Sequence, residues 1–254
     1  MVRDEVVADP AHFRRRLELC DEWRQLVEGA ARDGGPEWGQ RIGDASSQLH
    51  RVRALYSLGA PIAEVRAANV ELPDLVSRQL QVNPMTPFNP AHVGGGFNDF
   101  LWVTSLAALF DDVEGALLLA GAVGRFNMTD FLIDSFIGSL IEFREPSQSL
   151  QLETISNFHG VKPTIRSHEK LKAVAELAAT DQAAASAALT TYVTREWYPQ
   201  HKWAAWHNQH SSRRGAKNYS GYWCFEGAAT AKVFGIDDSP LENCKYYPWD
   251  LAHP

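Results

Sequence analysis

Hydrophobic residues recur at intervals of three and four along most of the chain, and this spacing predicts helices rather than strands. Between His12 and Ala31, apolar positions such as Phe13, Leu17 and Cys20 lie among arginine and glutamate with the 3.6-residue period of an amphipathic helix. No stretch of four to eight residues alternates convincingly with the period of two that a half-buried strand requires. The pattern therefore predicts an all-α fold, a multi-helix bundle of two closely packed helical subdomains.

Glycine, proline and capping residues place the boundaries of the predicted helices. The sequence predicts helices at 12–31, 37–58, from Pro61 to Val82 with a break at Leu72-Pro73, at 98–110, 112–124, 130–142 and 167–179, and from a cap at Thr180 or Asp181 to Trp197. The helices between 98 and 142 are apolar around most of their circumference, so we expect them to be buried. A long irregular stretch at 144–163 suggests an N-terminal helical domain, 1–143, and a C-terminal helical domain, 144–254.

The distribution of charge bears on the class of partner. The chain has 254 residues and a net charge of −7, and nine acidic but only three basic side chains lie between residues 94 and 165. A nucleic-acid-binding protein needs a basic face that displaces counterions from phosphate. We therefore expect no direct binding to DNA or RNA. A basic protein suits this acidic region better as a partner than a nucleic acid does.

Composition also indicates the compartment. The longest apolar runs are interrupted by acidic residues before they reach the roughly 20 residues of a membrane span, so we expect no membrane association. The first ten residues carry four charged side chains, where a signal peptide needs an apolar core. Three widely spaced cysteines fit neither a disulfide framework nor a CxxC pair, and the expected location is the reducing cytoplasm.

The acidic residues of the middle region form the first candidate site. Asp130, Asp134, Glu142 and Glu145 follow one another at intervals that place them on one face of a helix, if that helix persists to Glu145. Three further carboxylates, Asp111, Asp112 and Glu114, precede them by one helix and would extend the same surface. A solvated helix face and a surface for a basic partner both agree with this pattern.

Histidines are the second candidate. His201, His207 and His210 lie close together in the sequence, but only His207 and His210 have the spacing of a helical metal-binding pair, and no HExxH motif occurs. A nucleophile elbow is also missing from the sequence. We predict no catalytic residue, no cofactor and no metal. The alternative is a metal-dependent helical hydrolase that uses these histidines with a carboxylate such as Glu226.

The last stretch of the chain is dense in aromatic and small residues. Tyr222, Trp223 and Phe225 are expected on the buried faces of a helix, and Glu226 must find a partner if it is buried with them. Gly235 is suited to the left-handed residue that ends such a helix. The segment is therefore expected to be structural rather than catalytic.

A tight corner and a tail follow this helix. Asp237 and Asp238 are suited to bonding backbone N–H groups in the corner. Ser239-Pro240-Leu241-Glu242 has the spacing of a capping box, which predicts a short helical turn. The tail "KYYPWDL" is expected to be extended, because Pro248 disfavours helix at Tyr247.

Three C-terminal segments resemble a known family. "LTTYVTREWYPQHK" (189–202), "YSGYWCFEGAATAKVFGIDDS" (219–239) and "YYPWDL" (246–251) look like the C-terminal domain of the PoNe immunity protein (PoNi) family, and "FNDFLWVTSLAALFDD" resembles the end of its N-terminal helical domain. The matching motif residues, to which we assign mainly structural roles, are Trp197, Tyr198, Tyr222, Trp223, Phe225, Glu226, Asp237, Asp238, Tyr246, Tyr247, Pro248 and Asp250.

The resemblance implies a function. Such a protein would bind and neutralise a cognate polymorphic nuclease effector, a DNase toxin of the PD-(D/E)xK type that bacteria deliver into competitors, with type VI secretion as the expected route. It implies a 1:1 complex in the cytoplasm and no catalysis; a homo-oligomer is compatible with it. The seven carboxylates listed above would then form the toxin-binding surface, as a DNA mimic in a basic cleft. A helical scaffold that binds another basic protein is the second alternative.

Overall fold

The computed structural model describes residues 2–32, 37–82, 88–89, 95–125, 130–141, 166–211 and 216–254. Within these ranges the chain forms helices and turns without a strand, so the predicted all-α class is confirmed. No helix in the described ranges combines the length and the apolar character needed to cross a membrane.

Twelve α-helices follow one another in the described ranges. They are α1 (Pro10–Arg32), α2 (Glu37–Leu58), α3 (Ile62–Asn69), α4 (Leu72–Val82), α5 (Gly95–Phe110), α6 (Val113–Arg125), α7 (Phe131–Ile141), α8 (Arg166–Ala178), α9 (Gln182–Thr191), α10 (Trp197–Gln200), α11 (Phe225–Phe234) and α12 (Trp249–Ala252). The predicted helix at 37–58 has the observed bounds of α2. Asp181 caps α9, because its side chain accepts a hydrogen bond from the Ala184 N–H at 2.9 Å.

The helix predicted from residue 181 to Trp197 changes its winding before it ends. A π-helical turn spans Tyr192–Glu196, and the Trp197 N–H donates to the Tyr192 carbonyl five residues earlier. The short helix α10 then continues to Gln200, one residue past Pro199. Such wide turns re-aim the following side chains. Trp197, at the start of α10, is fully buried.

The helices pack in a continuous order around one core. In the N-terminal part, α2 packs against α1, α3 and α4, and α4 packs against α6. Further along, α11 packs against α5, α7 and α8. The buried hydrophobic residues of the described ranges form one cluster that includes side chains from both predicted domains. The predicted boundary at residue 144 lies outside the described residues and stays a prediction.

The corner after α11 differs from the prediction in two details. Gly235 has φ 62° and ends α11 as expected. Residues Ser239–Leu241 form a 3₁₀ turn without a side-chain cap, so the expected capping box does not form. The tail is not extended after Pro248, because the chain turns into the short helix α12. Pro248 disfavours helix at the residue before it, and its own fixed φ is compatible with a helix that begins at the next residue.

Trp223 joins the segment before α11 to α2. Its side chain is 3% exposed, its indole N–H donates to the Ser57 hydroxyl at 2.8 Å, and its ring meets the Tyr56 ring edge-on with centroids 4.7 Å apart. Gly221, with φ 107°, permits this approach. A Cβ at Gly221 would lie 2.1 Å from the Ser57 hydroxyl and 2.5 Å from the Trp223 indole nitrogen.

Trp223→Ala should lower the free energy of unfolding by about 3–5 kcal/mol, because it removes a buried aromatic side chain and leaves a cavity. Trp23→Ala is the matched control, since Trp23 is 46% exposed on α1, and its effect should stay below about 1 kcal/mol. Urea unfolding followed by circular dichroism measures both. Equal effects of the two substitutions would contradict the assigned role of Trp223.

Candidate functional site

The turn between α5 and α6 positions the first carboxylates. Asp111 has φ 55°, and the Asp112 N–H donates to the Ala107 carbonyl at 2.9 Å, the bonding pattern that closes a helix with a left-handed residue. The Asp112 side chain then accepts a hydrogen bond from the Gly115 N–H at 2.9 Å and caps α6. Asp112 is therefore committed to the turn, while Asp111 and Glu114 are exposed.

Asp111 has a basic partner within the chain. The Lys232 ammonium group of α11 lies 2.8 Å from the Asp111 carboxylate and donates to the Leu109 carbonyl at 2.9 Å. The Asp111 side chain is 63% exposed, so the ion pair contributes at most about 1 kcal/mol. The carboxylate remains available to a second cation from solvent or from a partner.

The carboxylates of Asp130 and Asp134 accept hydrogen bonds from backbone N–H groups at the start of α7. One Asp130 oxygen accepts hydrogen bonds from the Leu132 and Ile133 N–H groups at 3.0 Å each, and the Asp134 carboxylate accepts one from the Asp130 N–H at 3.2 Å. Burial raises the pKa of Asp130 above its usual value. Burial and the neighbouring Asp130 raise the pKa of Asp134. Asp130 thus has a capping function, and the exposed Asp134 is less constrained.

The end of α11 connects these two groups of carboxylates. Lys232 reaches the α5–α6 turn, and Phe234 stacks on Phe131, next to Asp130, with ring centroids 5.8 Å apart. Lys172 of α8 lies 5.6 Å from the Phe131 ring centroid, so lysines accompany the carboxylates on this side. Glu142 and Glu145, the last two predicted members of the surface, lie outside the described residues.

Glu226 is the charged group at the centre of the motif residues. Its side chain is fully buried in the first turn of α11. One carboxylate oxygen accepts the indole N–H of Trp102 at 2.9 Å, and the other accepts that of Trp197 at 2.6 Å. Burial raises the pKa of Glu226 to about 7, although both indole hydrogen bonds favour the ionised form. The sequence required a partner for this residue, and the structure supplies two indoles.

Other motif residues form an aromatic cluster around this centre. The rings of Tyr198 and Tyr246 stack with centroids 5.1 Å apart, and Trp197 stacks on Trp206 at 5.5 Å. Tyr222 meets Tyr219 edge-on at 4.6 Å. Phe225 packs edge-on against Trp102 at 6.1 Å. These contacts place the segment after α10, the start of α11 and the tail in one packed unit.

The corner and the tail hold each other through polar contacts. Asp237 accepts a hydrogen bond from the Ser239 N–H at 3.0 Å, as expected for a corner residue. The buried Asp238 instead accepts from the Tyr247 hydroxyl and lies 2.9 Å from the His253 imidazole. Pro248 immediately precedes α12. Asp250 in α12 forms an ion pair with Arg3 at 2.6 Å, which ties both ends of the chain together.

The three predicted histidines do not converge on one point. His207 stacks on Tyr198 with centroids 4.3 Å apart, and the His210 Nδ1 lies 3.0 Å from the Tyr222 hydroxyl. His201 is buried, with Nδ1 2.6 Å from the Trp197 carbonyl, and burial lowers its pKa to about 4. The proposed triad of the hydrolase alternative therefore has no common centre.

A different set of possible ligands does come together. His168 of α8, His201 and Glu226 each place one nitrogen or oxygen within 4.8 Å of the others, and all three side chains are buried. His168 was not singled out from the sequence, because it has no neighbour at a metal-binding spacing. Trp102 was missed for a similar reason, since 124 residues separate it from Glu226.

The comparisons with known proteins agree with the motif residues. Residues 128–251 match the family model described as "PoNe immunity proteins (PoNi), C-terminal". This match assigns residues 128–251 to the PoNe immunity protein (PoNi) family. No curated protein and no solved structure matched the chain. The family implies the role of an immunity protein with a cognate nuclease toxin as its partner.

A substitution of Glu226, which lies within the PoNi segment, tests how much this buried carboxylate contributes to stability. Glu226→Gln should lower the free energy of unfolding by about 1–3 kcal/mol, because the amide nitrogen would face one indole N–H and leave that donor unpaired. Urea unfolding at pH 8, above the pKa of about 7, measures the effect on the ionised carboxylate. The exposed Glu242→Gln is the control and should be neutral. Wild-type stability of Glu226→Gln would show that the indole pair does not hold α11.

Proposed function

We propose that this protein neutralises a DNase toxin of the PD-(D/E)xK type by placing an acidic surface in the toxin's basic DNA-binding cleft. The toxin-binding residues proposed are Asp111, Asp112, Glu114, Asp130, Asp134, Glu142 and Glu145. The observation that supports this most is the exposure of Asp111, Glu114 and Asp134. The last turns of α11 contact both Asp111 and Phe131, the first residue of α7.

The electrostatic argument concerns association more than final affinity. A DNase holds phosphate with a positive cleft, and a carboxylate surface of opposite sign raises the rate of encounter with such a cleft. Exposed carboxylates keep most of their hydration until the complex forms, so they steer the toxin at long range. We infer different functions within the set, because Asp112 and Asp130 cap helices. The exposed carboxylates are then the ones that contact the toxin.

The setting follows from the target of the toxin. A DNase acts on the chromosome, so the proposed immunity protein works in the cytoplasm of the cell that produces the toxin. We propose a 1:1 heterodimer, with interbacterial competition and type VI delivery as the context. A nuclease gene beside the gene for this protein would support the proposal, whereas a neighbouring gene for another basic protein would favour the scaffold alternative.

Reversal of the exposed charges tests the surface. Asp134→Lys combined with Glu114→Lys should lower the association rate constant with the cognate nuclease toxin by roughly an order of magnitude at low salt. The dependence of this rate on salt should also become weaker. Stopped-flow fluorescence at several salt concentrations measures both quantities. Asp130 is left intact, because its substitution would also remove the cap of α7.

The matched control carries the same change in net charge elsewhere. Glu18→Lys combined with Glu28→Lys alters two exposed residues of α1, which packs against α2. This pair of substitutions should lower the association rate constant much less than the pair on the proposed surface does. If both double variants slow association equally, net charge alone explains the rate and the proposed surface is wrong. Circular dichroism verifies that each variant is folded.

A further inference from the structure

The buried set of His168, His201 and Glu226 joins three parts of the C-terminal half. His168 lies in the first turn of α8, His201 directly follows α10, and Glu226 lies in the first turn of α11. Their exposed fractions are 5%, 0% and 0%. One possible ligand atom from each lies within 4.8 Å of the others. Chain segments that are distant in sequence thus bring two imidazoles and one carboxylate to one buried point.

His168 is the observation that calls for a ligand. Neither of its ring nitrogens has a hydrogen-bond partner among the described residues, although the side chain is buried. Its ring lies beside the rings of Phe97 and His201, with centroids 5.1 and 5.9 Å away. Buried polar groups in native proteins are almost always paired with protein, water or an ion, because an unpaired one costs free energy. Its lone pair is suited to a metal ion.

His201 is already oriented as a metal-bound histidine would be. Its Nδ1 lies 2.6 Å from the Trp197 carbonyl, and since a carbonyl only accepts, Nδ1 carries the proton. The other nitrogen, Nε2, then carries the lone pair. Histidines that bind metals commonly donate their second N–H to a carbonyl in this manner, which fixes the tautomer and the ring orientation.

Glu226 is oriented in a comparable way. The indole N–H groups of Trp102 and Trp197 each bond one carboxylate oxygen and hold the group in place. Each oxygen has a second lone pair that these bonds do not use. Two histidines and one glutamate form a ligand set that zinc accepts, and neutral imidazoles with one carboxylate balance part of the metal charge. Ligands at tetrahedral zinc are roughly 3.4 Å apart, so small side-chain rotations would close the set.

We propose that His168, His201 and Glu226 bind one zinc ion, which links α8, the segment after α10 and α11 as a structural clamp. Three protein ligands leave the fourth tetrahedral position to a water molecule. Because all three side chains are buried, a substrate has no access to that position, which favours a structural over a catalytic ion. This inference is independent of the acidic surface. It replaces the sequence-based expectation of no metal with a site that includes His168 rather than His207 and His210.

Metal content and metal-dependent stability test the proposal. The full chain, purified without a histidine tag and stripped with EDTA, is titrated with zinc and freed of excess metal by gel filtration. Elemental analysis should find one zinc per chain, and the melting temperature should rise relative to the stripped protein. Cobalt in place of zinc should give the strong visible absorption of tetrahedral coordination. Less than a tenth of an equivalent of zinc, with an unchanged melting temperature, would overturn the proposal.

Two substitutions separate this site from surface histidines. His168→Gln should weaken zinc affinity by at least about 100-fold, since it removes a direct ligand and loss of a merely supporting residue already costs 10–100-fold. His210→Gln is the matched control and should keep wild-type affinity. Retention of full zinc binding by a folded His168→Gln would overturn the proposal. If His168→Gln does not fold, wild-type metal content and the cobalt spectrum decide the question.

Discussion

The carboxylate of Glu226, buried between two indole N–H donors, is the interaction on which the C-terminal half depends. An ionisable group removed from water is costly unless it is hydrogen-bonded, so Trp102 and Trp197 must stay where they are for α11 to remain in the core. Trp102 belongs to α5 and Trp197 to α10. One side chain therefore fixes α11 relative to two helices from distant parts of the sequence.

The remaining motif residues extend this arrangement outwards. Aromatic stacking between Tyr198 and Tyr246 covers one side of the centre, and Trp223 bonds α2 on another. The ion pair of Arg3 with Asp250 and the hydrogen bond from the Tyr219 hydroxyl to Asp4, at 2.6 Å, tie the N-terminal segment to the C-terminal half. The motif that identifies the family is accordingly a packing motif. In the function proposed above, residues on the surface bind the toxin.

Local features of the fold could be predicted from the sequence because local chemistry determines them. The apolar period predicted the helices. Asp181 was one of the two residues predicted as the N-cap of α9, and Gly235 was predicted as the left-handed residue that ends α11. The π-helical turn at 192–196 could not be predicted, because it has no sequence pattern of its own and serves tertiary packing. The partners of Glu226 were also beyond prediction. A buried carboxylate requires donors, but its own sequence position does not specify which ones.

The same distinction applies to the candidate surface. The spacing of the carboxylates in the sequence predicted that they form one group. Only the structure distinguishes those that cap helices, Asp112 and Asp130, from those that are exposed, Asp111, Glu114 and Asp134. It also places Lys232 beside Asp111, so a toxin cation must share or displace an internal partner. The surface proposed to contact the toxin therefore has fewer carboxylates than the acidic sequence pattern contains. Under the proposed function, the rate of association with the toxin depends on a few exposed carboxylates.

Inhibition of the cognate nuclease toxin by the purified protein tests the central claim most directly. Supercoiled plasmid is incubated with the nuclease and increasing amounts of the protein, and the remaining intact DNA is measured. A 1:1 immunity complex predicts that cleavage falls linearly and stops at one equivalent. Undiminished cleavage at a tenfold excess of folded protein would contradict the account.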